Sequence, residues 1–221
     1  MPASNVLEDF DVIIGAGYGG GGTDTPVGGG DDDREHGGGH RRPSPRRYFT
    51  GVGLALVAIL MFFMSFVSAY IVRKGLGGDW LPVPVPRILW ANTAILLVSS
   101  LTIELARRLL ARGNLAAFRP WWNVTAALGV VFLAGQLLAW RQLVAAGAYL
   151  AGNPSNSFFY TLTAAHGAHL IGGIAALLYV AFRNFSVAQV TRETAAELVS
   201  IYWHFLDGLW LFLFLLLTLG R

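Results

Sequence analysis

The chain has 221 residues, 54% of them hydrophobic and only 13% charged, with a mean hydropathy of +0.53. A soluble domain of this size carries about 25% charge, so the composition points to lipid as the solvent. There are no cysteines, which excludes disulfides, thiolate metal sites and thiol catalysis. The isoelectric point of 9.5 comes from arginines flanking apolar segments. No basic stripe on a solvated face marks nucleic acid as a partner.

Charge and glycine are concentrated at the start. Residues 1–47 hold eight of the thirteen acids and twelve of the 27 glycines. Such a segment cannot bury enough apolar surface to offset its ordering entropy, so residues 1–47 are expected to form a disordered Gly/Asp-rich tail. The first forty residues contain no long apolar run, and no cleavable signal peptide is expected there. Within the tail, Gly15, Gly17 and Gly20 follow Val12-Ile13-Ile14 in the spacing of a dinucleotide-binding fingerprint. That fingerprint works only where its glycines open a helix that faces pyrophosphate. Here they run into Gly21-Gly22-Thr23-Asp24-Thr25-Pro26, which cannot continue as a helix, so a flexible tail is the reading.

Residues 48–221 are expected to form one all-α domain of five transmembrane helices. About 20 apolar residues cross a hydrocarbon core of about 30 Å. The segments are Phe49–Val72, Ile88–Ala106, Trp121–Trp140, Phe158–Phe182 and Leu198–Leu219. None alternates with period two, so none reads as a strand. With the N-terminus inside, the inner flanks carry ten Lys/Arg and the outer flanks five. This bias predicts a cytoplasmic N-terminus and an external C-terminus.

Ionisable groups at membrane depth are costly and should face protein or water. His166 and His169 lie at i, i+3 on the fourth segment, with Gly173 extending that stripe. Ala164, Ala168, Gly172 and Ala176 repeat every four residues beside it, a spacing that lets helices approach closely. His204 and Asp207, also i, i+3, stand between Trp203 and Trp210 on the fifth segment and suit a hydrogen-bonded pair. Three readings stay open for these groups: ligation of haem or metal by His166, His169 and His204, buried hydrogen bonding that locks the fourth and fifth helices together, and a proton or lipid-headgroup role. Helical i, i+3 histidines occur in metal sites, but usually with carboxylates on several helices. Glu104, followed by Arg107 and Arg108, reads as a local interfacial ion pair. Gln136 with Trp140 reads as an interhelical hydrogen bond beside an interface anchor.

Two blocks resemble a known family. Phe158-Phe159-Tyr160-Thr161-Leu162-Thr163-Ala164-Ala165-His166-Gly167-Ala168-His169 is one, and Tyr202-Trp203-His204-Phe205-Leu206-Asp207-Gly208-Leu209-Trp210-Leu211-Phe212 is the other. With weaker matches over residues 86–108 and 136–149, they are similar to subunit III of cytochrome c oxidase and its relatives among the haem–copper oxidases. The resemblance covers residues 48–221 in order. It implies a subunit without redox centre or metal of its own, with haem and copper in partner subunits. It also implies packing against catalytic subunit I, with subunit II in the same complex, in the inner membrane of a bacterium. The implied role is to hold phospholipid, support assembly, stability and proton uptake during aerobic respiration, and protect the enzyme from inactivation during turnover. His166, His169, His204 and Asp207 take the family's buried polar positions.

Two departures limit what carries over. Larger members have seven helices with a lipid cleft beside the first two, and five segments are present here. The family often carries a buried glutamate in the helix matching Phe49–Val72, where Val57-Ala58-Ile59-Leu60-Met61-Phe62-Phe63 holds no acid. By the family's chemistry, a haem–copper core needs six histidines and its electron-entry copper pair needs cysteines. Three histidines lie in the apolar segments here, so the chain is expected to be neither redox subunit. The alternatives are an equivalent subunit of a quinol oxidase or nitric oxide reductase, a stand-alone proton-conducting protein using Asp207, His204 and Glu104, and a small di-haem cytochrome using His166 and His204.

Overall fold

The computed structural model describes residues 45–76, 78, 86–150, 152–183 and 191–219. The expected disordered tail and its glycine motif lie outside the described residues, apart from positions 45–47, which are helical. Five helices make up the described chain: α1 (Pro45–Leu76), α2 (Ile88–Ala111), α3 (Leu115–Ala145), α4 (Pro154–Phe182) and α5 (Arg192–Leu219). All five are long and apolar enough to cross a membrane, and the described residues contain no strand.

All five helices outrun the expected segments at one or both ends. Hydropathy marks the stretch that must sit in hydrocarbon. The helices continue past it, because intrahelical hydrogen bonds still suit the backbone where polar side chains reach water. At 24 to 32 residues they are about 36–48 Å long, against a core of about 30 Å. The ends carry local stop and start signals. Asn114 accepts from Ala117 N at 3.0 Å and Asn153 from Ser155 N at 2.7 Å, each capping an orphan amide of the helix that follows. Gly113 (φ 75°) ends α2 and Gly147 (φ 81°) ends α3, where left-handed backbone closes a helix and glycine adopts it without strain.

Helices α2 to α5 form a ring in which α2 packs on α3, α3 on α4, α4 on α5 and α5 on α2. Their core includes Leu96, Ile103, Phe132, Leu177, Trp203 and Trp210. Among the described residues α1 touches only α4 and α5. A separate small cluster holds it there, with Phe63 and Val67 against Leu162, Leu209 and Leu213. Most of α1 is exposed, including Leu54, Met61 and Ile71, as befits a helix whose outer face meets lipid or another subunit.

Close approach in the ring depends on glycines of α3. A Cβ at Gly129 would stand 2.7 Å from the Trp203 ring, and one at Gly135 would collide with the Asn92 amide. The small stripe expected to be a closely packed face behaves differently. Ala164, Ala168 and Gly172 are exposed, and only Ala176 is half-buried. The interior face of α4 is instead set by larger residues, including His166, Leu170 and Leu177, which fill the ring and turn the small residues outward.

Gly129→Val is expected to destabilise the solubilised chain by about 1–3 kcal/mol through overpacking. Gly167→Ala, whose new methyl would meet only Leu133 at 3.8 Å, should stay within about 0.5 kcal/mol of wild type. Unfolding in SDS or by heat measures both.

Candidate functional site

The polar residues singled out in the sequence do not converge. His166 is wholly buried on α4. Its ring lies 5.1 Å from that of Trp210 on α5 and 6.1 Å from that of Phe132 on α3. Neither ring nitrogen has a hydrogen-bond partner among the described residues. One turn on, His169 faces α1, with its ring 5.5 Å from Phe63 and 6.2 Å from Phe62. Its Nδ1 lies 2.8 Å from the Ala165 carbonyl. A carbonyl can only accept, so Nδ1 carries the proton. Tyr202 on α5 donates its hydroxyl to the His169 carbonyl at 3.0 Å.

His204 and Asp207 share a helix but make no pair. His204 turns outward and its Nδ1 meets the Ser100 hydroxyl of α2 at 2.7 Å. It also lines a shallow cavity of about 280 Å³ with Leu60 and Met64 of α1 and Gly208 and Phe212 of α5. Asp207 points inward and is buried. Neither of its carboxyl oxygens has a hydrogen-bond partner among the described residues. Glu104, on α2, accepts from Arg107 Nε and Nη2 at 2.9 and 3.0 Å and from Arg108 Nε at 2.7 Å. This is the expected local cluster. Gln136 is buried on α3 with both amide atoms unpartnered among the described residues, and it forms part of the wall of a cavity between α3 and α4. Trp140, expected beside it as an anchor, donates Nε1–H to Thr163 of α4 at 3.2 Å.

The described residues hold no group of three or more His, Asp or Glu that could share a metal ion. What the arrangement does chemically is join helices. Trp203 Nε1–H donates to Ser99 at 3.0 Å and Trp210 Nε1–H to Thr93 at 3.1 Å, both from α5 to α2. Trp122 of α3 donates to the Leu177 carbonyl of α4 at 2.8 Å. The hydroxyls of Thr102 and Thr125 meet at 2.8 Å between α2 and α3. Asn92 of α2 reaches the Phe132 carbonyl of α3 at 3.3 Å.

The sequence family described as Cytochrome c oxidase subunit III matches residues 34–219. The chain belongs to the cytochrome c oxidase subunit III family. It is 33% identical over 181 residues to a probable cytochrome c oxidase subunit 3 of Nocardia farcinica, covering 79% of this chain and 89% of the relative. The probable subunit 3 of Mycobacterium tuberculosis is 32% identical over 180 residues, with the same coverage. A cytochrome c oxidase subunit 3 of Synechocystis is 31% identical over 186 residues, covering 81% of this chain and 78% of the relative. The chain is therefore a multi-pass membrane protein and a subunit III of a haem–copper oxidase.

For this subunit III, sequence reasoning passed over the tryptophan bonds. The signal was present. Trp203 and Trp210 lie seven residues apart, two helical turns, and Thr93 and Ser99 lie six apart on α2. A buried indole needs an acceptor, and hydroxyl residues at matching spacing supply one.

Trp210→Phe keeps the ring but removes the donor, and should lower the stability of the solubilised subunit by about 0.5–1.5 kcal/mol. His204→Ala and Asp207→Ala should part company. The first deprives the Ser100 hydroxyl of its partner. The second strands no described group and should leave the isolated chain as stable as wild type or more so. A drop for Asp207→Ala in the isolated chain would show an intrachain partner after all.

Proposed function

We propose that this subunit III is a non-redox accessory subunit. It packs against catalytic subunit I, with subunit II in the same complex, in a bacterial cell membrane with its N-terminus cytoplasmic and its C-terminus outside. It carries no haem or copper, which reside in the partner subunits, and supports their assembly, stability and proton uptake during aerobic respiration. Reduced cytochrome c is taken as the electron source, in keeping with the names of the relatives.

The observation that carries this reading is the separation of the three membrane histidines. His166 lies between Trp210 and Phe132, His169 beside α1, and His204 on the hydroxyl of Ser100. Each environment is that of a packing or hydrogen-bonding residue. A second support is the broad exposed apolar face of α1. Asp207, His166 and Gln136 are taken as buried interhelical groups. Their missing hydrogen bonds are completed by trapped water, by lipid or by a neighbouring subunit. Glu104, held by Arg107 and Arg108, marks the membrane boundary on the inner side.

Extraction in mild detergent should copurify this chain with a larger haem-bearing membrane protein. A haem-bearing complex of full composition that lacks this chain would overturn the assignment. Purified alone, the chain should show no Soret band, and a stoichiometric band would assign it a redox role. Oxidase prepared without it should turn over at first and then lose activity faster than the intact complex. Equal lifetimes would remove the protective role.

A further inference from the structure

The outward small-residue stripe of α4 does not face open lipid along its whole length. With α3 it walls a cavity of about 310 Å³ whose lining includes Leu133, Gln136, Thr163, Ala164, Gly167 and Ala168. A second cavity of about 450 Å³, whose lining includes Arg141, Val144 and Tyr160, continues it, and Leu137 and Trp140 belong to both. The two make one groove along the α3–α4 seam, reaching from Ile171 to Tyr160 on α4. At 1.5 Å per residue that is about 16 Å, close to half of a hydrocarbon core of about 30 Å. A transmembrane helix would need a groove across the full thickness, whereas an acyl chain fills one leaflet.

The mouth of the groove has the chemistry of a headgroup site. Arg141 is exposed there and makes no ion pair or hydrogen bond with a described residue. Trp140 and Tyr160 flank it, with ring centroids 5.8 Å apart. Both are fixed, Trp140 by its bond to Thr163 and Tyr160 by donating to the Ala148 carbonyl at 2.9 Å. The wall is therefore preorganised. Gln136 lies five residues before Arg141, about 7.5 Å deeper along the helix. It is 4% exposed, with neither amide atom partnered among the described residues. Hydrocarbon alone leaves that amide unsatisfied. A phospholipid brings ester carbonyls below its phosphate, and these accept from an amide N–H.

We propose that the α3–α4 seam is a phospholipid site, in which an anionic headgroup pairs with Arg141, an ester carbonyl meets Gln136, and one acyl chain lies over Ala164, Gly167 and Ala168. It deepens the lipid contact in the reading above by naming the place and the headgroup charge.

The test uses the intact oxidase complex, stripped of lipid in detergent and titrated with phosphatidylglycerol or phosphatidylcholine. Native mass spectrometry that releases this chain reads the adduct by its mass. One phosphatidylglycerol is expected per chain. Arg141→Gln should weaken its retention by about five-fold, the attraction of one arginine for an anionic lipid. Ala168→Leu, which fills the groove from an exposed position, should weaken both lipids alike. Retention unchanged in both variants overturns the site. So does cross-linking of Ala168→Cys to a helix of another subunit, which would make the groove a protein interface. Loss of the adduct from a complex that still holds its haem-bearing subunit sinks the lipid site alone. Absence of that subunit sinks the broader reading instead.

Discussion

The seam between α2 and α5 sets the register on which the other helices depend. The hydrocarbon core offers no hydrogen-bond partner, so a donor surrounded by other helices there needs an acceptor within the protein. Trp203 and Trp210 meet this constraint by crossing to Ser99 and Thr93. Each hydroxyl gives its own proton to a carbonyl of α2, Ser99 to Leu96 and Thr93 to Leu89, which leaves a lone pair to accept the indole. Displacing α5 by one turn would strand two buried N–H groups at once. The same tryptophans are large enough to fill the middle of the ring. Gly129 and Gly173 make room for Trp203 from α3 and α4.

Around this seam, polar groups divide by what surrounds them. Those bonded between helices, such as Thr102 with Thr125 and Trp122 with Leu177, align neighbours without carrying chemistry. Those left without partners lie in different places. His166 is sealed among rings, Asp207 is buried on α5, and Gln136 borders the α3–α4 groove. These side chains are directed to separate seams of the bundle.

Much of the architecture was legible in the sequence because a bilayer imposes a length. Five apolar runs of nineteen or more residues were enough to find five helices. Their ends were less legible, since the charged turns past the hydrocarbon, such as Glu104 to Ala111 on α2, obey helix propensity and not hydropathy. The local cluster of Glu104 with Arg107 and Arg108 could be read from spacing alone. Partners across helices could not. The spacing of His204 and Asp207 suggested a pair, yet a three-residue step rotates α5 far enough to send one to Ser100 and the other to the interior. The outward turn of Ala164 and Ala168 was likewise hidden. Spacing shows which residues share a face but not which face the bundle buries.

The placement of α1 has a consequence for how the subunit is made. It leaves the ribosome before α2 to α5, yet its only described neighbours, α4 and α5, are synthesised about a hundred residues later. Until they enter the bilayer it has no docking surface among the described residues, and its long uncharged stretch must be stable in lipid unaided. An acid in the Val57–Phe63 stretch would make that wait costly. Of the five described helices, α1 is thus made first and seated late, and its apolar sequence suits a segment that waits in the bilayer for its partners.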